Sequence, residues 1–242
     1  MKFIKVRTRV VVPPRDNIYL ILDQFLPRLR EGDVLFITSK ILAIHQGRCV
    51  KINSSVKKDY LIKKEADKYI HRRLASYGNF FLTIKNSTLI PSAGIDESNG
   101  NGYYILWPQG IVPLLKELRV YLKKKFKLKN LALIATDSHT IPLRYGVIGI
   151  SIGSCGLEPL YDYRGKPDIF GRKLKYTKTN VVDALSAMAV LLMGEGNEQT
   201  PIMILRGAKF IRFTTKSSRQ KLVIPYLKDL YAPLLKVFEH KK

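Results

Sequence analysis

A chain of 242 residues with 46% hydrophobic content can bury a real core in one large domain or two small ones, which excludes a disordered tail. Lys and Arg number 42 against 19 Asp and Glu, a net charge of +23 that favours anionic partners such as nucleic acid, anionic lipid, nucleotides or acidic metabolites. Cys49 and Cys155 stand alone, which excludes a disulfide framework or a CxxC metal site, and no apolar run nears the roughly 20 residues needed to span a bilayer.

The start, "MKFIKVRTR", leads into Val and Pro rather than into a signal-peptide core, so a cytoplasmic protein without a membrane partner is expected. Strands are expected at 3–12, 34–38 and 80–84, each bounded by Pro, Gly or Asn. Between the first two, Ile18, Ile21, Leu22 and Phe25 recur at helical spacing and predict an amphipathic helix ending near Pro27. A second helix is expected over 55–77, with Tyr60, Leu61, Ala66, Tyr69, Ile70 and Leu74 as its apolar stripe.

Residues 91–110 read as a loop in which Gly, Ser and Asn crowd around Asp96-Glu97 before a short apolar strand. A helix over 113–127 follows, then the strand "LALIATD", apolar enough to be covered on both faces, with Asp137 at its carboxyl end, where open α/β sheets usually bind ligands. Residues 146–176 are glycine-rich and strand-like, 180–194 is a helix, and "PIMILRG" is another buried strand. This alternation predicts a mixed α/β chain forming one domain over 1–242, with two lobes separated near 85–110 as an alternative, and a basic C-terminal extension at 208–242.

Basic residues run through the whole chain, in "VKKDYLIKKEADKYIHRR", "YLKKKFKLK" and "EHKK", instead of forming one arm or recognition helix. That spread favours a solvated surface over a dedicated nucleic-acid reader, and the chain carries no RNP motif, zinc finger or recognisable helix-turn-helix. "IATDSHT" places an acid, three hydroxyls and an imidazole after an apolar run. Consecutive residues of an extended segment point to opposite faces, so Asp137, Ser138 and His139 cannot relay a proton in line, and the chain has no GxSxG elbow. The glycines of "YGVIGISIGSCGLEPL" lack a convincing helix start behind them and are read as permitting tight strand packing or bulges. Asp96, Asp137 and Glu195 are isolated acids among small residues, an arrangement open to hard divalent cations beside phosphate oxygens, although each taken singly also suits a turn or helix end.

The segments "EGDVLFITSKILAIHQGR", "PSAGIDESN", "IATDSHTIPLR", "GVIGISIGSCGLEPLYDYRGKPDIFGRKL" and "VVDALSAMAVLLMGEGNEQTPIMILRG" occur in that order between about residues 30 and 207. In them the chain resembles the coenzyme F(420) γ-glutamyl ligase family, enzymes that add glutamate to a deazaflavin coenzyme precursor with GTP. The resemblance implies a mixed α/β fold peculiar to the family, with a β-rich core and an intertwined homodimer whose active site lies near the dimer interface. It implies GTP, with ATP as the alternative nucleotide, and two Mg²⁺ or Mn²⁺ ions, with K⁺ as a further candidate ion. By motif position Asp96 and Asp137 hold one cation, and Ser138, standing for a family threonine, holds the second with Glu195. Ser39, Lys40 and Asn99 contact the nucleotide together with the 193–200 loop: Met193, Gly194, Glu195, Gly196, Asn197, Glu198, Gln199 and Thr200.

Asp137 and Arg144 are the expected catalytic residues, while Lys40, Arg144 and Arg206 are candidates to neutralise phosphate oxygens or clamp carboxylates, or else to form structural ion pairs. The chain departs from the family's "DTFGRPWR" as "DSHTIPLR", losing its Phe and Trp. It also reads "SKILAIHQGR" for "SKIVSKAEGR", with Ile44 in place of a nucleotide-touching lysine and Gln46 in place of a glutamate. L-Glutamate and a carboxylate-bearing coenzyme are the implied substrates. Folate or pterin acids are alternative acceptors, and a catalytically idle holder of polyanions or RNA is the competing class.

Overall fold

A computed structural model describes residues 1–70, 80–215 and 219–240. In chain order the elements are β1 (Lys2–Val6), α1 (Ile18–Phe25), β2 (Asp33–Thr38), α2 (Ser39–His45), β3 (Cys49–Lys51), α3 (Lys58–Glu65), β4 (Lys68–Ile70), β5 (Leu82–Lys85), β6 (Thr88–Pro91) and β7 (Tyr103–Ile105). They continue with α4 (Ile111–Phe126), β8 (Leu131–Thr140), β9 (Val147–Cys155), β10 (Leu160–Asp162), β11 (Lys178–Asn180), α5 (Val181–Met193), β12 (Ile202–Arg206), α6 (Arg219–Leu222), α7 (Ala232–Leu235) and β13 (Glu239–His240). The fold is therefore mixed α/β with a central sheet of order β1-β12-β2-β8-β9. Within it β2 and β8 run parallel, in register from Asp33 opposite Leu131 to Thr38 opposite Thr136, and the other neighbours pair antiparallel.

Alternation along the central strands builds two cores, one on each face. Leu35, Ile37, Leu131, Leu133, Ala135, Ile202 and Ile204 pack against Ile18, Ile21 and Leu22 of α1 and Leu115, Leu118 and Leu122 of α4. Val34, Phe36, Ala132, Ile134, Met203 and Leu205 pack against Val182, Leu185, Ala189, Val190 and Met193 of α5. Strands covered on both sides must be apolar at every position, which is why these segments read as unbroken hydrophobic runs. Helices approach β9 closely enough to require glycine. A Cβ on Gly149 would stand 2.6 Å from Cβ of Val190, and one on Gly153 would stand 2.6 Å from Cγ2 of Ile111. The glycine cluster thus serves helix-on-strand packing rather than a phosphate-cradling loop.

Residues between α2 and α4 form a smaller β-rich part with its own core of Ile62, Ala66, Phe81, Ala93, Ile95, Tyr104 and Leu106. Here the structure corrects the long helix expected over 55–77. α3 stops at Glu65, Ala66 is extended, and Tyr69 and Ile70 pair with β5 instead, so a tertiary ladder overrides local helical spacing. Leu74 and Tyr77 lie outside the described residues. The first strand is likewise shorter than 3–12. Val6 pairs with Ile202, the first residue of β12, and beyond it the chain has no ladder partner among the described residues and becomes a strap whose Thr8 N–H donates to the Gln199 carbonyl at 2.9 Å. Among the described residues no helix is long and apolar enough to cross a membrane.

Arg206 also differs from its candidate role at the site. It lies at the far end of β12 and clamps Asp33, with Nε 2.9 Å from Oδ1 and Nη2 2.7 Å from Oδ2. The Asp33 side chain is 0% exposed, so this pair belongs to the sheet and is a structural ion pair. Replacing Arg206 with Leu strands a buried carboxylate and is expected to lower unfolding free energy by about 3 kcal/mol in urea titration. An unchanged midpoint would contradict that assignment.

Candidate active site

A cavity of about 260 Å³ opens at the carboxyl ends of β2 and β8. β2 passes directly into α2 through Thr38, which is extended, so Ser39 and Lys40 begin the helix at the cavity floor. Next to them in the sheet, β8 runs past Thr136 to Asp137 and Ser138. The β8–β9 pairing shifts register between Ala135 and Thr136, a bulge that sits beside the site, where bulges commonly re-aim side chains. Strand alternation then sends Asp137 toward the α4 side and Ser138 toward α5.

Each acid is held differently. Asp96 closes a turn, its Oδ1 accepting from the Ser98 N–H at 2.9 Å and the Ser98 hydroxyl at 2.8 Å, while Lys40 Nζ approaches Oδ2 at 2.6 Å. Asp137 accepts from the indole N–H of Trp107 through Oδ2 and from the Ser138 N–H at 2.8 Å through Oδ1. Glu195 follows the C-terminal end of α5, with Oε2 3.5 Å from the Ser138 hydroxyl. The loops are tied across the cavity, Asn99 Nδ2 donating to the Gly196 carbonyl at 3.0 Å. Within the second loop, the Gly196 N–H donates to Glu198 at 2.8 Å.

Burial drives the Asp137 carboxyl up to about 6, the nearby charge of Asp96 adding to it while the donors from Trp107, Ser138 and Ser39 oppose it. Burial also raises Glu195, assisted by the charges of Asp96 and Glu198 and opposed by Lys40 and Ser138. For Asp96 burial acts in the same sense, but the Lys40 ammonium and the Ser98 donors outweigh it and hold this carboxyl below its ordinary range.

Ser39, Lys40, Asp96, Asn99, Asp137, Ser138 and every residue from Met193 to Thr200 line this one cavity, as the motif positions imply. Arg144 does not. It lies exposed in the turn joining β8 to β9, its N–H donating to the Ile141 carbonyl at 3.2 Å. His139 also stands outside the cavity lining, hydrogen-bonds the backbone of Leu89, and is lowered by burial. Ile44 supplies a buried apolar wall. Sequence reasoning missed Thr8, Arg9, Thr136 and Trp107. Arg9 lines the cavity with its guanidinium held by Asp16 at 2.5 and 2.8 Å. Thr136 stands inside "IATDSHT" and adjacency to Asp137 could have marked it, whereas no motif marks Thr8, Arg9 or Trp107, which long-range packing brings in.

The donor set suits hard divalent cations. Four carboxylates and several hydroxyls line one space, and among the described residues the buried Thr136 Oγ1 there has no hydrogen-bond partner. Among the described residues no three His, Cys, Asp or Glu side chains form a ready-made metal cage.

The family described as F420-0:Gamma-glutamyl ligase matches residues 5–207. The chain belongs to that family. The Coenzyme F420:L-glutamate ligase of Methanopyrus kandleri is 31% identical over 219 residues, covering 83% of this chain and 84% of the relative. The enzyme of the same name from Methanocaldococcus jannaschii is 30% identical over 216 residues, covering 84% and 86%. That of Methanosarcina mazei is 28% identical over 200 residues, covering 75% and 76%. All residues lining the cavity, from Thr8 to Pro201, fall inside the span matched by the ligase family, and the basic segment after residue 207 falls outside it.

A pH test of the Asp137 environment follows. A carboxyl raised in the folded state binds its proton more tightly than in the unfolded chain, so folding stability falls as pH rises from about 4 through about 6. With chelator present, the stability of the wild type relative to Asp137→Asn should decline by about 2 kcal/mol between pH 4 and pH 7. Taking the difference cancels the hydrogen bonds lost on substitution, and a flat difference would contradict the raised carboxyl.

Proposed function

We propose that this protein is a ligase that joins L-glutamate to a carboxylate of a coenzyme F(420) precursor through an amide bond, with GTP as phosphoryl donor. The observation that carries this reading is the convergence of Asp96, Asp137 and Glu195 on one cavity that also holds Lys40. The relatives named Coenzyme F420:L-glutamate ligase supply the reaction class.

In the proposed reaction an acceptor carboxylate oxygen attacks the γ-phosphorus of GTP, GDP leaves, and an acyl phosphate forms. The amine of glutamate then adds to the acyl carbon and expels phosphate. Both reactants of the first step are anions, so charge control is the main problem. Asp96 and Asp137 would hold one Mg²⁺ or Mn²⁺ ion and Ser138 and Glu195 a second, and such ions neutralise phosphate oxygens and stabilise charge on the transferring group. Lys40 adds a fixed positive charge beside Asp96. The Asn99–Gly196 tie holds the two nucleotide-facing loops together over the cavity, which favours exclusion of water from the acyl phosphate. His139, directed to the Leu89 backbone, is a neighbour and takes no proton.

A homodimer is part of the same reading. β9 ends the central sheet as an edge strand, and the turn beyond it exposes Leu143 and Tyr145 almost completely. A dimer also offers Arg144, remote from its own cavity, a route to another. The acids facing the cavity disfavour a simple polyanion holder, because a phosphate chain would meet carboxylates there without compensating cations.

The test is to incubate the protein with glutamate, Mn²⁺ and either GTP or ATP, with and without K⁺, across deazaflavin, folate and pterin acids, and to read products by mass. Glutamylation of the deazaflavin acid with GTP is expected; exclusive use of a folate or pterin acid would reassign the acceptor. Asp137→Asn should reduce glutamate-dependent phosphate release by at least about 100-fold while the fold persists, whereas His139→Ala should stay within about threefold. Equal losses in the two variants would restore a histidine acid–base role.

A further inference from the structure

Trp107 is the only tryptophan in the chain and is 1% exposed, wedged between the central sheet and the smaller β-rich part. Its indole N–H donates to Oδ2 of Asp137. Its ring also meets the loop that carries Asp96: Gly94, at φ +70°, lies so flat against it that a Cβ there would stand 2.6 Å from Cε2 and closer still to Nε1 and Cδ1. The Trp107 backbone is braced as well. Its carbonyl accepts from Arg48 Nε at 3.2 Å, Arg48 Nη2 pairs with Glu65 at 2.6 Å, and Glu65 takes a second cation from Lys85 at 2.5 Å.

We propose that Trp107 is a positioning residue that holds the Asp137 carboxylate and the Asp96 loop in register for a divalent cation, an inference that rests on the assignment of these two acids as cation ligands. Indole has one donor and no acceptor, so it turns the carboxylate without competing for the ion. With Oδ2 bound to Trp107, Oδ1 to the Ser138 N–H and the Ser39 hydroxyl donating as well, the Asp137 carboxylate is held in one orientation at the cavity wall. The same ring seats Gly94, two residues before Asp96, so one side chain sets both ligands although they belong to different parts of the fold. Plain core filling asks only for an aromatic ring, a role phenylalanine would meet without the N–H.

The experiment uses the full chain, freed of metal by chelator and dialysis, with Mn²⁺ alone as the probe. Mn²⁺ binding is followed by electron paramagnetic resonance, and Trp107 emission is followed with excitation at the red edge, where tyrosine is silent. Emission should be quenched along the Mn²⁺ binding curve, and Trp107→Phe should weaken Mn²⁺ binding about 10- to 100-fold with unchanged circular dichroism. In the metal-free protein, Asp137→Asn should shift Trp107 emission. Unchanged Mn²⁺ affinity in folded Trp107→Phe would overturn the proposal. Should that variant fail to fold, wild-type emission indifferent both to bound Mn²⁺ and to Asp137→Asn would overturn it equally. An absence of saturable Mn²⁺ binding to the wild type would instead bring down the cation assignment, and the metal-free comparison would still decide whether the indole holds Asp137.

Discussion

The parallel pairing of β2 with β8 is the constraint on which the site depends. It places Thr38 opposite Thr136, and so sets the start of α2 beside the end of β8, with Ser39, Lys40, Asp137 and Ser138 on one edge of the sheet. Both strands are buried on two faces, so neither can slide by a residue without sending its apolar set to the wrong core. That rigidity permits the next step, which is unfavourable in isolation. A carboxylate is buried at the strand end with another carboxylate near it, and the packing of the two cores offsets the cost.

Charge is distributed in opposite senses at two scales. The chain as a whole carries +23, a field that draws anionic nucleotides and carboxylates from a distance. The cavity itself concentrates Asp96, Asp137, Glu195 and Glu198, with Lys40 bound to the first of them. A basic exterior with an acidic interior suits the proposed reaction, in which anionic reactants would meet around cations held at fixed points. Trp107 contributes to that fixity from beneath, joining the sheet that carries Asp137 to the loop that carries Asp96.

Much of this was legible before any coordinates. The double-sided strands announce themselves by unbroken apolar runs, and α1, α4 and α5 by helical spacing bounded by Pro or Gly, because burial acts directly on residue type. Short elements escaped: α2 continues from β2 without a break, and β3, β6 and β11 exist only because another strand lies beside them. Tyr69 and Ile70, which fit a helical stripe by spacing, lie in a strand for the same reason. The apolar residues after Glu65 meet both spacings over so few positions that the ladder with β5 decides.

By itself the sequence determined which residues are buried in the sheet, that isolated acids lie among small residues, and which family's motifs they match. These follow from local chemistry, since hydrophobicity and backbone freedom act position by position. Only the tertiary structure decided that Asp96, Asp137 and Glu195 share a cavity, that Arg206 serves Asp33 while Lys40 serves Asp96, and that Arg144 stands outside. It also decided that Trp107, silent in the sequence, meets Asp137 and the loop of Asp96. Those outcomes depend on strand register and on packing between distant segments, and the physical reason is that a contact between residues far apart in the chain leaves no spacing in the sequence from which to read it.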